Sequence, residues 1–237
     1  MWTVNILTLV PEVYPGILGK SISGKKLKSG LWSLKVKNIR DFTNDTKSRV
    51  DDTPFGGGKG MLLRPDVLGE AIEQFFLKNT LPIIYPSPRG VLLTKHTAKS
   101  FVKFNKGINI LCGRFEGVDE RIITEYSIKE LSIGDYVLSS GDIASFVIID
   151  CCLRHLTGYL GNKNSLQEES LGEGTYENLL EYPQFTRPRV WKNKKIPKVL
   201  VSGNHKKIYD WRLCQSKKRT KDNRPDLWYK HIKKEKE

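Results

Sequence analysis

The sequence predicts an α/β fold with a mostly parallel sheet, followed by a small basic helical domain. Three observations carry that expectation. Short β-type runs alternate with amphipathic stretches from the start to about residue 160, the pattern of strands joined by crossover helices. Two glycine-bounded segments, Cys112-Gly-Arg-Phe-Glu-Gly-Val-Asp-Glu-Arg121 and Ser132-Ile-Gly-Asp-Tyr-Val-Leu-Ser-Ser-Gly-Asp142, each follow an apolar run that reads as a buried strand. Glycine at a strand end lets another group approach the backbone, and such loops are where α/β sheets bind small ligands. Finally, 18 Lys or Arg stand against 5 Asp or Glu between Arg187 and Glu237, whereas residues 1 to 186 carry 22 against 21.

Taken in order, Trp2 to Leu9 and Trp32 to Ile39 read as the first strands, from their β-branched and aromatic content. Arg40 to Gly60 is long and polar and ends in a glycine cluster, which marks a functional or disordered loop. It is not a phosphate-binding P-loop, because no Ser or Thr follows Lys59. Pro65 to Leu77 is the clearest helix: proline suits its first turn, and Val67, Leu68, Ala71, Ile72, Phe75 and Phe76 recur on one face. Leu81 to Tyr85 and Ile108 to Cys112 read as strands, with a helix from His96 to Phe104 between them. Asp142 suits the cap of a helix through Leu153 that is apolar nearly all round, and so is either central to the core or part of a subunit interface. Gly158 to Gly174 has little periodicity and reads as a linker. Helices are expected from His205 to about Lys217 and again after Pro225. The expected organisation is therefore a domain over residues 1–160, a linker over 161–174 and a basic helical domain over 175–237.

Composition narrows the function classes. The longest apolar stretch, Ile143 to Leu153, contains Asp150 and falls well short of the roughly 20 residues a membrane span needs. The first residues read as a strand rather than a secretory signal. Cysteines 112, 151, 152 and 214 form no CxxC pair and no metal-ligand spacing with the four histidines, so a reduced cytoplasmic protein without structural zinc is expected. No GxGxxG follows a strand, which weakens a dinucleotide reading. The basic segment is interleaved with Trp191, His205, Tyr209, Trp211, Trp228 and Tyr229, a footprint suited to nucleic acid. On charge alone, a membrane surface or an acidic protein remains open.

Five motifs then occur in one order: Asp51-Asp-Thr-Pro-Phe-Gly-Gly-Gly-Lys-Gly-Met61, Tyr85-Pro-Ser-Pro-Arg-Gly90, the two glycine segments, and Leu200-Val-Ser-Gly-Asn-His205. Together they closely resemble the bacterial tRNA (guanine-N1)-methyltransferases that modify guanosine 37, 3′ of the anticodon. The likeness runs from Met1 to about Trp228. It implies an α/β domain of the SPOUT class with a deep trefoil knot, S-adenosylmethionine as cofactor, tRNA as partner, a homodimer, and a helical C-terminal domain on the tRNA.

Carried over residue by residue, the resemblance assigns cofactor contacts to three loops. They are Tyr85, Pro86, Ser87, Pro88 and Gly90; Gly113 and Glu116; and Ile133, Gly134, Asp135, Tyr136, Val137, Leu138, Ser140 and Gly141. It assigns Asp51, Gly60, Arg114 and Glu116 to the target guanine, stabilisation of the guanine O6 to Arg154, and the role of base to Glu169. Guanine N1 carries a proton and needs a base, while charge grows on O6 as that proton leaves. Arginine stays protonated at neutral pH and cannot be that base. Three positions depart from the family pattern: Glu169 stands where aspartate is usual, with Glu168 adjacent, Ser140 where glycine is usual, and Ala144 where proline is usual. The resemblance also implies that base and cofactor come from different subunits. It suggests Mg²⁺ dependence, although no ligand cluster is visible in the sequence.

Overall fold

The computed structural model describes residues 1–161 and 169–234. It divides into two compact units, Met1–Leu160 and Gly161–Glu237.

The first unit is built on a five-stranded sheet. Its strands are β1 (Trp2–Thr8), β2 (Trp32–Asn38), β5 (Ile83–Leu92), β6 (Gly107–Leu111) and β7 (Lys129–Ser132), in the order β2-β1-β6-β5-β7. Every pairing is parallel. Alternation along the strands sorts two cores onto the two faces. Val4, Ile6, Ile84, Ile108 and Ile110 face one cluster, which also takes in α3 (Lys95–Phe104) and α5 (Gly141–Leu153) through Ala98, Phe101, Ile148, Ile149, Cys152 and Leu153. Leu7, Ile83, Tyr85 and Leu111 face the other, against α2 (Pro65–Ala71) and α4 (Glu120–Glu125). A sheet covered on both faces explains why its central strands read as apolar runs.

The central register carries a polar device. Asn5 and Asn109 are paired across β1 and β6 and both are buried. The Asn5 amide donates to Asn109 Oδ1 at 2.8 Å, and the Asn109 amide donates in turn to Asn79 Oδ1 and to the Leu81 carbonyl, both at 3.2 Å. At the sheet edge, α1 (Ser21–Lys28) is held by fully buried Trp32, whose indole N–H donates to the Ser23 carbonyl at 3.0 Å.

Several sequence expectations change in detail. The strand expected to end at Tyr85 continues to Leu92, but Pro86 and Val91 both pair with Leu131, so Ser87 to Gly90 bulge out of the ladder. The loop from Arg40 to Gly60 is not structureless. Its Asp51–Asp52 strand (β3) pairs antiparallel with Leu62–Leu63 (β4). The helix from Pro65 keeps α-helical bonding only to Ala71, then widens into a π-type turn over Ile72–Phe76 that keeps Phe76 in the core. Asp142 is not the cap of α5. Ser140 holds that position in extended conformation, and Asp142 lies inside the helix with its carboxylate turned to buried hydroxyls.

The second unit is dominated by α6 (His205–Asn223) and α7 (Pro225–Lys234). Asn204 caps α6 by accepting from the Lys207 N–H, and the helix runs six residues past the expected Lys217 because nothing in Lys218-Arg-Thr-Lys-Asp-Asn223 breaks it before Pro225. A small core of Tyr176, Leu179 and Tyr182 packs with Leu213 and Trp228. Of α6 itself, only Ser216 and Thr220 are buried. The Thr220 hydroxyl accepts from the Leu180 N–H at 2.8 Å. A hairpin of β8 (Val190–Trp191) and β9 (Lys194–Lys195) turns through Lys192 and Asn193, both at positive φ. Of the expected linker, residues 162–168, including Glu168, lie outside the described residues.

Trp32→Ala should lower unfolding stability by about 3–5 kcal/mol, since it empties a fully buried site and strips the Ser23 carbonyl of its donor. Equilibrium urea unfolding measures this; a loss below about 1 kcal/mol would show that the sheet edge does not depend on Trp32.

Candidate active site

Three segments converge at the carboxyl edge of the sheet. The bulge of β5 supplies one, the loop after β6 the second, and the loop between β7 and α5 the third. They enclose a cavity of about 540 Å³, within the size range of small-ligand sites.

The second and third segments are joined backbone to backbone. The Gly141 N–H donates to the Gly113 carbonyl at 2.9 Å. A Cβ at Gly141 would lie 3.0 Å from Gly113 N and 3.2 Å from Cys112 Cα, and one at Gly113 would lie 2.7 Å from the Tyr85 ring and hydroxyl. Glycine is required at both positions by this approach. Burial raises the Tyr85 phenol above its usual range, so at neutral pH it stands in the cavity wall as a neutral donor.

The bulge is clamped from outside. Arg89 lies 2.9 Å from Glu130 of β7 and 3.2 Å from Glu120 of α4, while its own N–H donates to Ser87 Oγ at 3.2 Å. In the third segment Ser132 Oγ accepts from the Gly134 N–H, and the Tyr136 hydroxyl donates to the Ile133 carbonyl, both at 3.1 Å. The hairpin of β3 and β4 leans on the second segment: Glu116 N–H donates to the Met61 carbonyl and Leu63 N–H to the Gly117 carbonyl, each at 3.0 Å. Gly60, at φ +96°, lies so close to Glu116 that a Cβ there would overlap the Glu116 side chain.

Most residues assigned to the cofactor from sequence line this one cavity. Tyr85, Pro86, Ser87 and Pro88 come from the bulge, Gly113 and Glu116 from the second loop, and Ile133, Gly134, Tyr136, Val137, Leu138, Ser140 and Gly141 from the third. Gly90 and Asp135 do not line it. Gly90 is pressed against the Glu130 and Leu131 backbone, where no side chain would fit. Of the guanine contacts, Arg114 and Glu116 line the cavity, Gly60 touches it through Glu116, and Asp51 is paired to Leu63 behind it. Ala144, at a position that departs from the family pattern, also lines it.

Arg154 follows the last residue of α5, whereas the cavity meets the helix at Gly141 and Ala144. The helix is 13 residues long, which places Arg154 about 20 Å along the axis from Gly141. Glu169 belongs to the second unit. Sequence reasoning gave Arg89 no role of its own within the Tyr85 to Gly90 loop, and missed Leu62, Val118, Glu120, Leu131 and Ser132 as lining residues. Arg89 was visible inside a quoted motif, but its two glutamate partners are far away in sequence and left no local signal.

Among the described residues no group of three or more His, Cys, Asp or Glu is arranged to hold a metal ion. No described helix is long and apolar enough to cross a membrane. The basic unit exposes Lys206, Lys207, Lys218, Arg219 and Lys221 along α6, with Trp191 and Tyr229 exposed nearby in sequence. Trp228 is instead packed with the small core.

Compared with known proteins, residues 1–230 match the family model described as tRNA (Guanine-1)-methyltransferase TrmD. The chain belongs to this family. Curated relatives of the TrmD family align over nearly the full length. The tRNA (guanine-N(1)-)-methyltransferase of Ruegeria pomeroyi is 47% identical over 98% of this chain and 94% of its own. That of Pelagibacter ubique is 48% identical over 98% and 100%, and that of Wolbachia pipientis wMel 49% over 95% and 95%.

Arg89→Ala should change global stability by less than about 1 kcal/mol, because the arginine side chain is 57% exposed and its ion pairs are screened. Amide hydrogen exchange at Ser87 to Gly90 should nevertheless rise, as the bulge has lost its clamp; unchanged exchange there would assign its order to the β-ladder alone.

Proposed function

We propose that this protein is a cytoplasmic tRNA (guanine-N1)-methyltransferase that takes its methyl group from S-adenosylmethionine and delivers it to guanosine 37. Membership of the family over residues 1–230 supports the reaction class. The observation that carries the cofactor reading is the convergence of two glycine-bounded loops and the proline-containing bulge of β5 on one cavity at the carboxyl edge of a parallel sheet. The fit is favourable: Gly113 and Gly141 let the second and third segments and Tyr85 pack closely enough to form one wall, and Tyr85, Ile133, Val137, Leu138 and Ala144 offer flat and apolar surface.

When bound, S-adenosylmethionine supplies an electrophilic sulfonium methyl. The chain's own residues handle the acceptor. Glu169 takes the proton from guanine N1, which turns that nitrogen into a nucleophile. Arg154 holds a fixed positive charge at O6, where the negative charge develops. Arg114 and Glu116 keep the base in the cavity mouth, and Gly60 lets the Asp51–Met61 segment close on Glu116.

The position of Arg154 favours a composite site. About 15 Å of α5 separates it from Ala144, the nearest residue of the helix that lines the cavity of its own chain, and a second copy would bring its Arg154 to that cavity. Ile143 and Val147 on α5 are 51% and 46% exposed although the helix is apolar nearly all round. An apolar stripe of this kind suits a homodimer. The reading also includes the trefoil knot of the SPOUT class, closed where the segment leading into α5 meets the loop after β6. The basic face of α6 and the β8–β9 hairpin would lie along the tRNA backbone.

Incubation with a tRNA transcript and methyl-labelled S-adenosylmethionine, followed by nucleoside mass spectrometry, should yield 1-methylguanosine at position 37. A 2′-O-methyl product, or label on another nucleotide, would sink the proposal. Glu169→Gln should slow methyl transfer by about 100-fold or more, with affinity for S-adenosylhomocysteine held within about twofold. Undiminished transfer would move the base role to Glu168 or another group.

A further inference from the structure

Asp142 is the only fully buried carboxylate among the described residues, and the mechanism above gives it no task. A carboxylate in such a place is costly unless its oxygens are satisfied. Oδ1 is: it accepts from the Thr8 hydroxyl at 2.6 Å and from the Tyr14 hydroxyl at 3.1 Å. Tyr14 also reaches Ser145 Oγ at 2.6 Å and Cys112 Sγ at 3.4 Å. Burial pushes both the phenol and the thiol well above their usual ranges, so both stay protonated around the carboxylate.

Oδ2 is different. It has no hydrogen-bond partner and lies 3.6 Å from Nε of Arg114, which is itself buried and without a hydrogen bond. Two complementary groups, each unsatisfied, therefore face one another just beyond bonding distance. Arg114 also lines the cavity, and its side chain is one-third exposed. Its Nε faces Asp142, and the residue lines the cavity.

We propose that Asp142 is a positioning residue for Arg114, holding the guanidinium by its Nε so that the terminal nitrogens are presented to the target guanine. The inference rests on the reading of Arg114 as a guanine contact. A guanidinium is planar, so fixing the Nε–H direction fixes the plane of its outer fork. Thr8 and Tyr14 in turn hold the carboxylate, which makes the arginine's aim a property of β1, the loop after β6 and α5 together. The pair also spans the same two segments that Gly113 and Gly141 join, so the seating of α5 sets where Arg114 points.

The test uses the full-length protein with tRNA transcript, and compares wild type, Asp142→Asn, Arg114→Ala, Arg114→Lys and the double variant Asp142→Asn/Arg114→Ala. Asparagine keeps the shape and the acceptor for Thr8 but removes the charge facing Nε. Asp142→Asn should lower kcat by about tenfold, with KM for S-adenosylmethionine within about twofold of wild type, and the double variant should be no slower than Arg114→Ala alone. Wild-type kcat in Asp142→Asn, or losses that multiply in the double variant, would overturn the proposal. Should Asp142→Asn fail to fold, as judged by its thermal midpoint, Arg114→Lys reads the same contact from the other side. Lysine keeps the charge without Nε and should lose as much as alanine, and a wild-type rate would refute the role of Asp142. Absence of methylation in the wild type would instead strike the underlying reaction, and an unimpaired Arg114→Ala would strike the guanine contact.

Discussion

The site depends on a single close approach, that of the Gly113 and Gly141 backbones. One hydrogen bond of 2.9 Å ties the end of the central strand β6 to the first turn of α5. Everything that lines the cavity from the second and third segments is measured from that junction. It draws the third loop over the cavity, brings Asp142 beside Arg114, and sends α5 away from the site along the underside of the sheet. A side chain at either glycine would force these parts to separate, because the neighbouring atoms are backbone or the buried Tyr85 ring rather than movable surface groups.

Rigid and adaptable parts are segregated around this junction. The sheet and α5 are packed in a continuous core, which suits a cavity whose walls are mostly main chain. The bulge of β5 and the β3–β4 hairpin are attached more lightly, through exposed ion pairs and a few backbone bonds. Parts held in that way can adjust to an incoming nucleotide at small energetic expense, while the scaffold keeps its geometry.

How far the sequence reveals this differs by kind of feature. The parallel sheet was legible because strands covered on both faces read as apolar runs, as in Ile108 to Cys112. The glycine loops were legible because Gly113 and Gly141 mark close approaches that other residues do not tolerate. Local signals misled where a distant partner prevails. Asp142 has the composition of a helix cap, yet buried hydroxyls from Thr8 and Tyr14 capture its carboxylate. The strand expected to end at Tyr85 is resumed beyond the bulge, because β7 pairs with Val91 and Leu92. The clamping role of Arg89 was hidden, since its partners Glu120 and Glu130 are brought to it only by the fold. The distance from Arg154 to the cavity was equally hidden, because it is set by the direction in which α5 leaves the junction.

The paired asparagines of β1 and β6 have a consequence for how the chain assembles. A slip of one residue between these strands would turn Asn5 and Asn109 away from each other and leave their amides dehydrated among aliphatic side chains. Such a misaligned sheet would be penalised once helices close over it and exclude water from the amides. Because β6 carries Gly113 just beyond its end, the amide pair effectively sets the depth at which the cavity opens. A mutation in the sheet interior, remote from any ligand, would therefore be read out as misplacement at the sheet's edge.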